Sequence, residues 1–215
     1  MTEQTPAEPH TPPSERFELA VAAIDAANGD DPNRIEVGGV EGPKELTHAR
    51  MVDAWVRRID PDASEALLLA ARAHHVRRWT VPRDSFPAGR SGYLRWRSHL
   101  RGFHADEAER LLRGVGYDDT TIDRVRQIVL KQGLTRDRET TDPDVQAFED
   151  ALSLVFLETQ FAELTERLDD DEKMARIVAR TLRKMSTRGR EAARDLAYDE
   201  RARAILDRAA TLTST

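Results

Sequence analysis

The chain has 215 residues, 39% of them hydrophobic and 33% charged, and 33 basic against 39 acidic side chains give a formal net charge of −6. That length can bury a core, and that charge excludes a general binder of nucleic acid or of anionic membranes. No Cys is present and no apolar run is longer than the six residues of Ala66 to Ala71, which excludes a disulfide scaffold, a thiolate metal site, a Cys nucleophile and a membrane-spanning helix.

Residues 1 to 13 carry four Pro and few large apolar side chains, so a disordered tail is expected there, with one domain over 14 to 215. The first ten residues have neither a basic nor an apolar leader segment, and a cytoplasmic protein is expected. Ser14 reads as an N-cap for a helix through Phe17, Val21 and Ile24 that ends at Asn28-Gly29. A loop is expected from Asp30 to Gly42, followed by a helix from Pro43 to about Arg58 with Asp60-Pro61 as its stop. Asp62 with Glu65 resembles a capping box for a third helix that runs to about Arg78.

After a loop from Thr80 to Ser91, a long helix is expected from Gly92 to Arg113, with a bend at Gly102. Asp118 or Asp119 caps the next helix, and Asp142-Pro143 opens one that is apolar almost all round, with Val145, Phe148, Leu152, Leu154, Val155, Phe156, Leu157 and Phe161. A helix through Met174, Ile177, Val178 and Leu182 follows Asp169 to Asp171, and Arg190 to Ala210 reads as a last one. No strand pattern of useful length and no repeat occurs, so the expected class is all-α.

Ionisable residues on apolar helix faces are the candidates for chemistry. His48 shares a face with Val52, Trp55 and Ile59; His74 and His75 continue the stripe of Leu67, Leu68 and Ala71. Asp150 shares its face with Ala147, Leu154, Leu157 and Phe161 and is expected to be buried, whereas Glu149, grouped with Gln146, Ser153 and Gln160, is expected to be solvated. A buried carboxylate needs a cation or hydrogen-bond donors, because desolvating it costs several kcal/mol. Between Arg72 and Arg113 lie ten Arg, no Lys and four acids, net +6 in a chain otherwise net −12. Within this stretch Arg77, Arg78, Arg83, Arg95 and Arg97 alternate with Trp79, Tyr93 and Trp96, a pattern that suits either an anion site or Arg–Trp packing. His104 is expected to be exposed, and Lys131 either to interact with the dipole at a helix C-terminus or to join an Arg/Lys lining.

An inward His, a His dyad after an Ala/Leu run and an inward Asp on a late helix together resemble the HD-domain superfamily, whose members hold a divalent metal for phosphoester hydrolysis on an H…HD…D pattern. The resemblance places that pattern on His48, on one or both of His74 and His75, and on Asp150, with an HD-like helical bundle as the fold. The dyad here is His-His, which shifts the implied metal toward Mn²⁺, Ni²⁺, Fe²⁺ or Zn²⁺. A second likeness spans most of the chain: Glu45-Leu46-Thr47-His48, His75-Val76-Arg77-Arg78-Trp79, Val81-Pro82-Arg83, Gly92-Tyr93-Leu94-Arg95-Trp96-Arg97, Leu152-Ser153-Leu154-Val155-Phe156-Leu157-Glu158 and Lys184-Met185-Ser186. These segments resemble an uncharacterised family, domain of unknown function 4202.

Two functions follow as expectations. One is metal-dependent hydrolysis of a small phosphorylated compound or nucleotide, with the metal on His48, His74, His75 and Asp150 and the substrate held by Arg77, Arg78, Arg83 and Trp79. Glu45, one turn before His48, is the candidate catalytic acid there. The other is a non-catalytic module that binds an anionic ligand or a protein partner.

Overall fold

The structure is a computed structural model and describes residues 15–135 and 140–213. The expected tail and the Ser14 cap lie outside the described residues. Among these, ten α-helices and a single two-stranded hairpin occur, so the fold is all-α. In chain order they are α1 (Glu15–Gly29), β1 (Arg34–Val37), β2 (Val40–Pro43), α2 (Lys44–Ile59), α3 (Glu65–Ala73), α4 (Gly89–Gly114), α5 (Asp119–Val129), α6 (Pro143–Thr159), α7 (Phe161–Leu168), α8 (Asp171–Leu182), α9 (Thr187–Arg194) and α10 (Glu200–Thr213), with single 3₁₀ turns at Arg78–Thr80 and Arg83–Ser85.

The hairpin occupies the segment expected to be a loop. Arg34 pairs with Pro43 and Val37 with Val40, and Gly38 and Gly39, at φ 59° and 78°, make the two-residue turn that a right-twisted hairpin requires. The ladder carries the chain directly into α2, whose N-terminus is closed from outside the helix. Asp31 accepts from the Glu45 N–H at 3.0 Å through one carboxylate oxygen and from the Asn33 N–H and amide through the other.

Other boundaries differ from expectation for local reasons. Ser64, not Asp62, caps α3, its hydroxyl accepting from the Leu67 N–H. That helix stops at Ala73, because the chain turns through Arg77 at φ 54°. α4 runs unbroken past Gly102. Phe161 opens α7 rather than closing α6. The expected last helix is two: Ser186 caps α9, Asp199 accepts from the Ala202 N–H at the start of α10, and Arg203 ties the intervening turn through the carbonyls of Arg194 and Leu196.

Helix α6 is the pivot. It packs on α2, α3, α5, α7 and α9, and Phe148, Ala151, Leu154 and Val155 are all buried. Helix α8 packs mainly against α10. No helix among the described residues is long and apolar enough to cross a membrane.

Candidate functional site

A cleft of about 760 Å³ opens between the segment after α3, the first half of α4, the end of α5 and one face of α6, with α8 at its edge. Six cationic side chains line it, Arg78, Arg97, Arg101, Lys131, Arg180 and Lys184, against a single carboxylate, Glu149. The carboxylate is 3% exposed and is paired with both lysines: Lys131 in a short contact and Lys184 at 3.4 Å. Burial works to raise the Glu149 pKa, but the two ammonium groups outweigh it and hold the carboxyl below its usual range. Burial pushes the Lys131 ammonium down.

Two backbone strains place cations here. Lys131 adopts φ 57° at the end of α5 and Arg77 φ 54° before the 3₁₀ turn that carries Arg78. Each left-handed non-glycine residue costs on the order of 1 kcal/mol, and such strain concentrates where a side chain must be aimed.

The back of the cleft is a cluster of three histidines, two from the segment after α3 and one from α4. After α3, His74 donates its Nδ1–H to the Ala71 carbonyl at 2.9 Å and His75 donates its Nδ1–H to Glu45 Oε2 at 3.1 Å. On α4, His104 donates its Nδ1–H to the Val76 carbonyl at 3.1 Å. The ring centroids of His74 and His75 lie 4.3 Å apart, and those of His75 and His104 5.4 Å. Burial depresses all three imidazoles; His104 falls to about 3. The rings are therefore neutral near pH 7, with the tautomer set by the carbonyl or carboxylate behind each one.

Glu45 sits in the first turn of α2 and joins several of these groups. Its burial favours the neutral form, yet His75 and the hydrogen-bonding histidines beside it hold it ionised well below the usual carboxylate range. Its other oxygen is 3.6 Å from the Arg78 Nε. The Arg78 guanidinium lies over the Trp96 ring, 4.9 Å from the centroid, and Trp96 is fixed by donating its indole N–H to the Val81 carbonyl. Arg97 sits similarly over Tyr93, at 5.8 Å.

The residues singled out in the sequence divide among different places. His74, His75 and Arg78 reach the cleft, and Glu45 supports it from behind. His48 is buried with Nδ1 3.8 Å from Glu45 and its Nε2 without a partner. Arg77 turns toward Glu107, Arg83 holds the carbonyls of Phe86, Pro87 and Gly89, and the half-buried Trp79 does not line the cleft. Asp150 is buried as expected, but its carboxylate accepts from the Ser186 N–H and hydroxyl and from the Gln146 amide.

A four-ligand metal set does not fit this arrangement. Asp150 is committed to the start of α9, and among the described residues no three His, Asp or Glu side chains gather as ligands of one ion.

Glu149 is buried rather than solvated, because the polar stripe of α6 (Glu149, Ser153, Gln160) faces the cleft and not bulk water. His104 is 3% exposed, because the segment after α3 folds over α4 and supplies its acceptor. Of the two roles expected for Lys131, the structure has it in the cleft lining, where it pairs with Glu149 rather than with a helix end. One sequence signal pointed to this pair of lysines: of 33 basic residues only four are Lys, and two of those, Lys131 and Lys184, meet on Glu149.

A family model described as "Domain of unknown function (DUF4202)" matches residues 18–206. No curated protein and no solved structure matches the chain.

Proposed function

The chain belongs to the DUF4202 family, and since that membership carries no activity with it, we propose from the site itself that the protein binds a small anionic ligand, a phosphate or phosphomonoester, in the cleft between α4 and α6. The observation that carries this reading is the concentration of six cations around one already neutralised carboxylate, in a chain whose net charge is −6. A site assembled against the overall charge of its chain costs repulsion among like charges, and an anion relieves it. Arg78 and Arg97 suit the role because each guanidinium lies over an aromatic ring that steadies it, and a guanidinium has five N–H donors with which to fork onto an oxyanion; Glu45 faces only the Nε of Arg78.

Calorimetric titration with inorganic phosphate and with phenyl phosphate at low ionic strength tests the reading. Saturable binding is expected, and Arg78→Ala or Arg97→Ala should each weaken it by about tenfold or more, the weight of one charge-assisted hydrogen bond. Absence of saturable binding, or binding unaffected by both substitutions, overturns it.

A further inference from the structure

We propose that His75 is a phosphoryl-accepting nucleophile oriented by Glu45, so that the cleft transfers a phosphoryl group from an acyl-phosphate class of donor to His75 Nε2 and then to water. The proposal rests on the anion-binding reading and adds chemistry to it.

The four neighbouring imidazoles are not equivalent. Those of His48 and His104 present Nε2 atoms that are fully buried and without a partner, out of reach of a ligand. His74 is 5% exposed, and its Nδ1–H rests on a neutral carbonyl. His75 alone combines access with charge support: its side chain is 34% exposed and borders the cleft, and its Nδ1–H is held by a carboxylate. Donation of Nδ1–H to Glu45 fixes the tautomer whose lone pair is on Nε2, and no hydrogen bond among the described residues claims that atom.

The difference between a carbonyl and a carboxylate partner matters when the imidazole acts as a nucleophile. As the Nε2 lone pair forms an N–P bond the ring becomes cationic, and the ionised Glu45 behind it stabilises that charge. Glu45 is available for this because Asp31 secures the start of α2 in its place, and because Arg78 shares only its second oxygen. The cleft that His75 borders also carries guanidinium and ammonium groups, and on the oxygens of a transferring phosphoryl group positive charge lowers the barrier most.

The transfer balances without a metal or an external acid. Nε2 attacks phosphorus; the P–O bond to the acyl group breaks, and that oxygen leaves with the electron pair as a free carboxylate, which needs no proton. Nδ1 keeps its proton in the bond to Glu45. Water then adds to phosphorus, the N–P bond breaks with its electrons returning to Nε2, inorganic phosphate departs and one proton passes to solvent.

Acetyl phosphate is the probe. Wild-type protein incubated with it and quenched in alkali, which preserves phosphohistidine, should carry one phosphoryl increment that fragmentation of the peptide places on His75 and not on the adjacent His74. The mapping uses wild-type protein, so it decides the question whatever the variants do to folding. His75→Asn should lose both the adduct and the turnover of acetyl phosphate, and added imidazole should restore turnover. Glu45→Gln, which can still accept from Nδ1–H but carries no charge, should slow transfer roughly a hundredfold with little change in KM. Phosphate binding without any phosphoryl group on His75 after alkaline quenching overturns the nucleophile and leaves the binding site standing. Absence of phosphate binding overturns the binding site itself.

Discussion

Asp150 on α6 receives the backbone N–H of Ser186 at 2.8 Å and the Ser186 hydroxyl, 36 residues further along the chain, and Ser186 in turn caps α9 by accepting from the Gly189 N–H at 3.0 Å. The carboxylate is therefore an anchor between the central helix and the start of a later one. Gly189 makes the close approach available: a Cβ at that position would lie 2.6 Å from the Asp150 carboxyl carbon.

Asp150→Ala should consequently act on stability and not on the cleft. Leaving the Ser186 donors and the Gln146 amide without their acceptor should cost about 2–4 kcal/mol. Gly189→Ala should cost roughly 1–3 kcal/mol by forcing the same contact apart. A lowered Tm with unchanged phosphate affinity in both variants is the expected pair of results; loss of phosphate binding in folded Asp150→Ala would place Asp150 in the site after all.

Glu149 is the one negative charge inside the cleft, and its removal should strengthen anion binding. Glu149→Gln frees Lys131 and Lys184 to face the ligand, and phosphate affinity should rise about three- to tenfold at low salt, less at high salt. Lys131→Met should do the opposite and also destabilise, by roughly 1.5–3 kcal/mol, because it leaves the buried carboxylate with Lys184 as its remaining ionic partner. Titrations at two salt concentrations with paired thermal melts separate the two effects.

Stability should fall steeply on acidification, and the sign is the same for every depressed group in the cluster. His104 titrates at about 3 in the folded chain against about 6.5 when unfolded. Between those values the unfolded state binds more protons, so unfolding becomes more favourable as pH drops through that window. His74 and His75 are depressed and contribute in the same direction. The ionised Glu149 and Glu45 also stabilise the fold above the ordinary carboxylate range and lose that contribution as pH falls. A Tm measured from pH 7.5 to 4 should decline, and His104→Gln, which has no proton to take up, should show a shallower slope; an equal slope would remove His104 from the account.

The hairpin turn offers a local check. Gly39→Val places a β-branched side chain at φ 78°, where it is strained, and should cost about 1–2 kcal/mol. Because β2 leads straight into Glu45, this variant should also disturb the His75 environment, visible as a shift of its imidazole resonances in NMR.

The periodic apolar pattern by itself determined the all-α class and the place of α6. A 17-residue helix with the buried side chains Phe148 and Leu157 on opposite faces can only be stable when surrounded, and burial of one side chain on a helix follows from its neighbours three and four residues away. The inward positions of His48, His74 and Asp150 were legible for the same reason. Hairpin strands of four residues each were too short to show an alternation, and the Gly38-Gly39 turn was their one local sign.

What the tertiary structure decided was which buried polar groups meet. Helix periodicity gives the direction of a side chain from its own axis but not what another element brings to it. Asp150 found a serine N–H from α9 instead of a histidine, while Glu149, on a stripe indistinguishable in sequence from a solvated one, met Lys131 and Lys184. Glu45 and His75 stand 30 residues apart on separate elements, so the turn through Arg77 and the docking of α3 on α2 make their hydrogen bond, not any spacing along the chain.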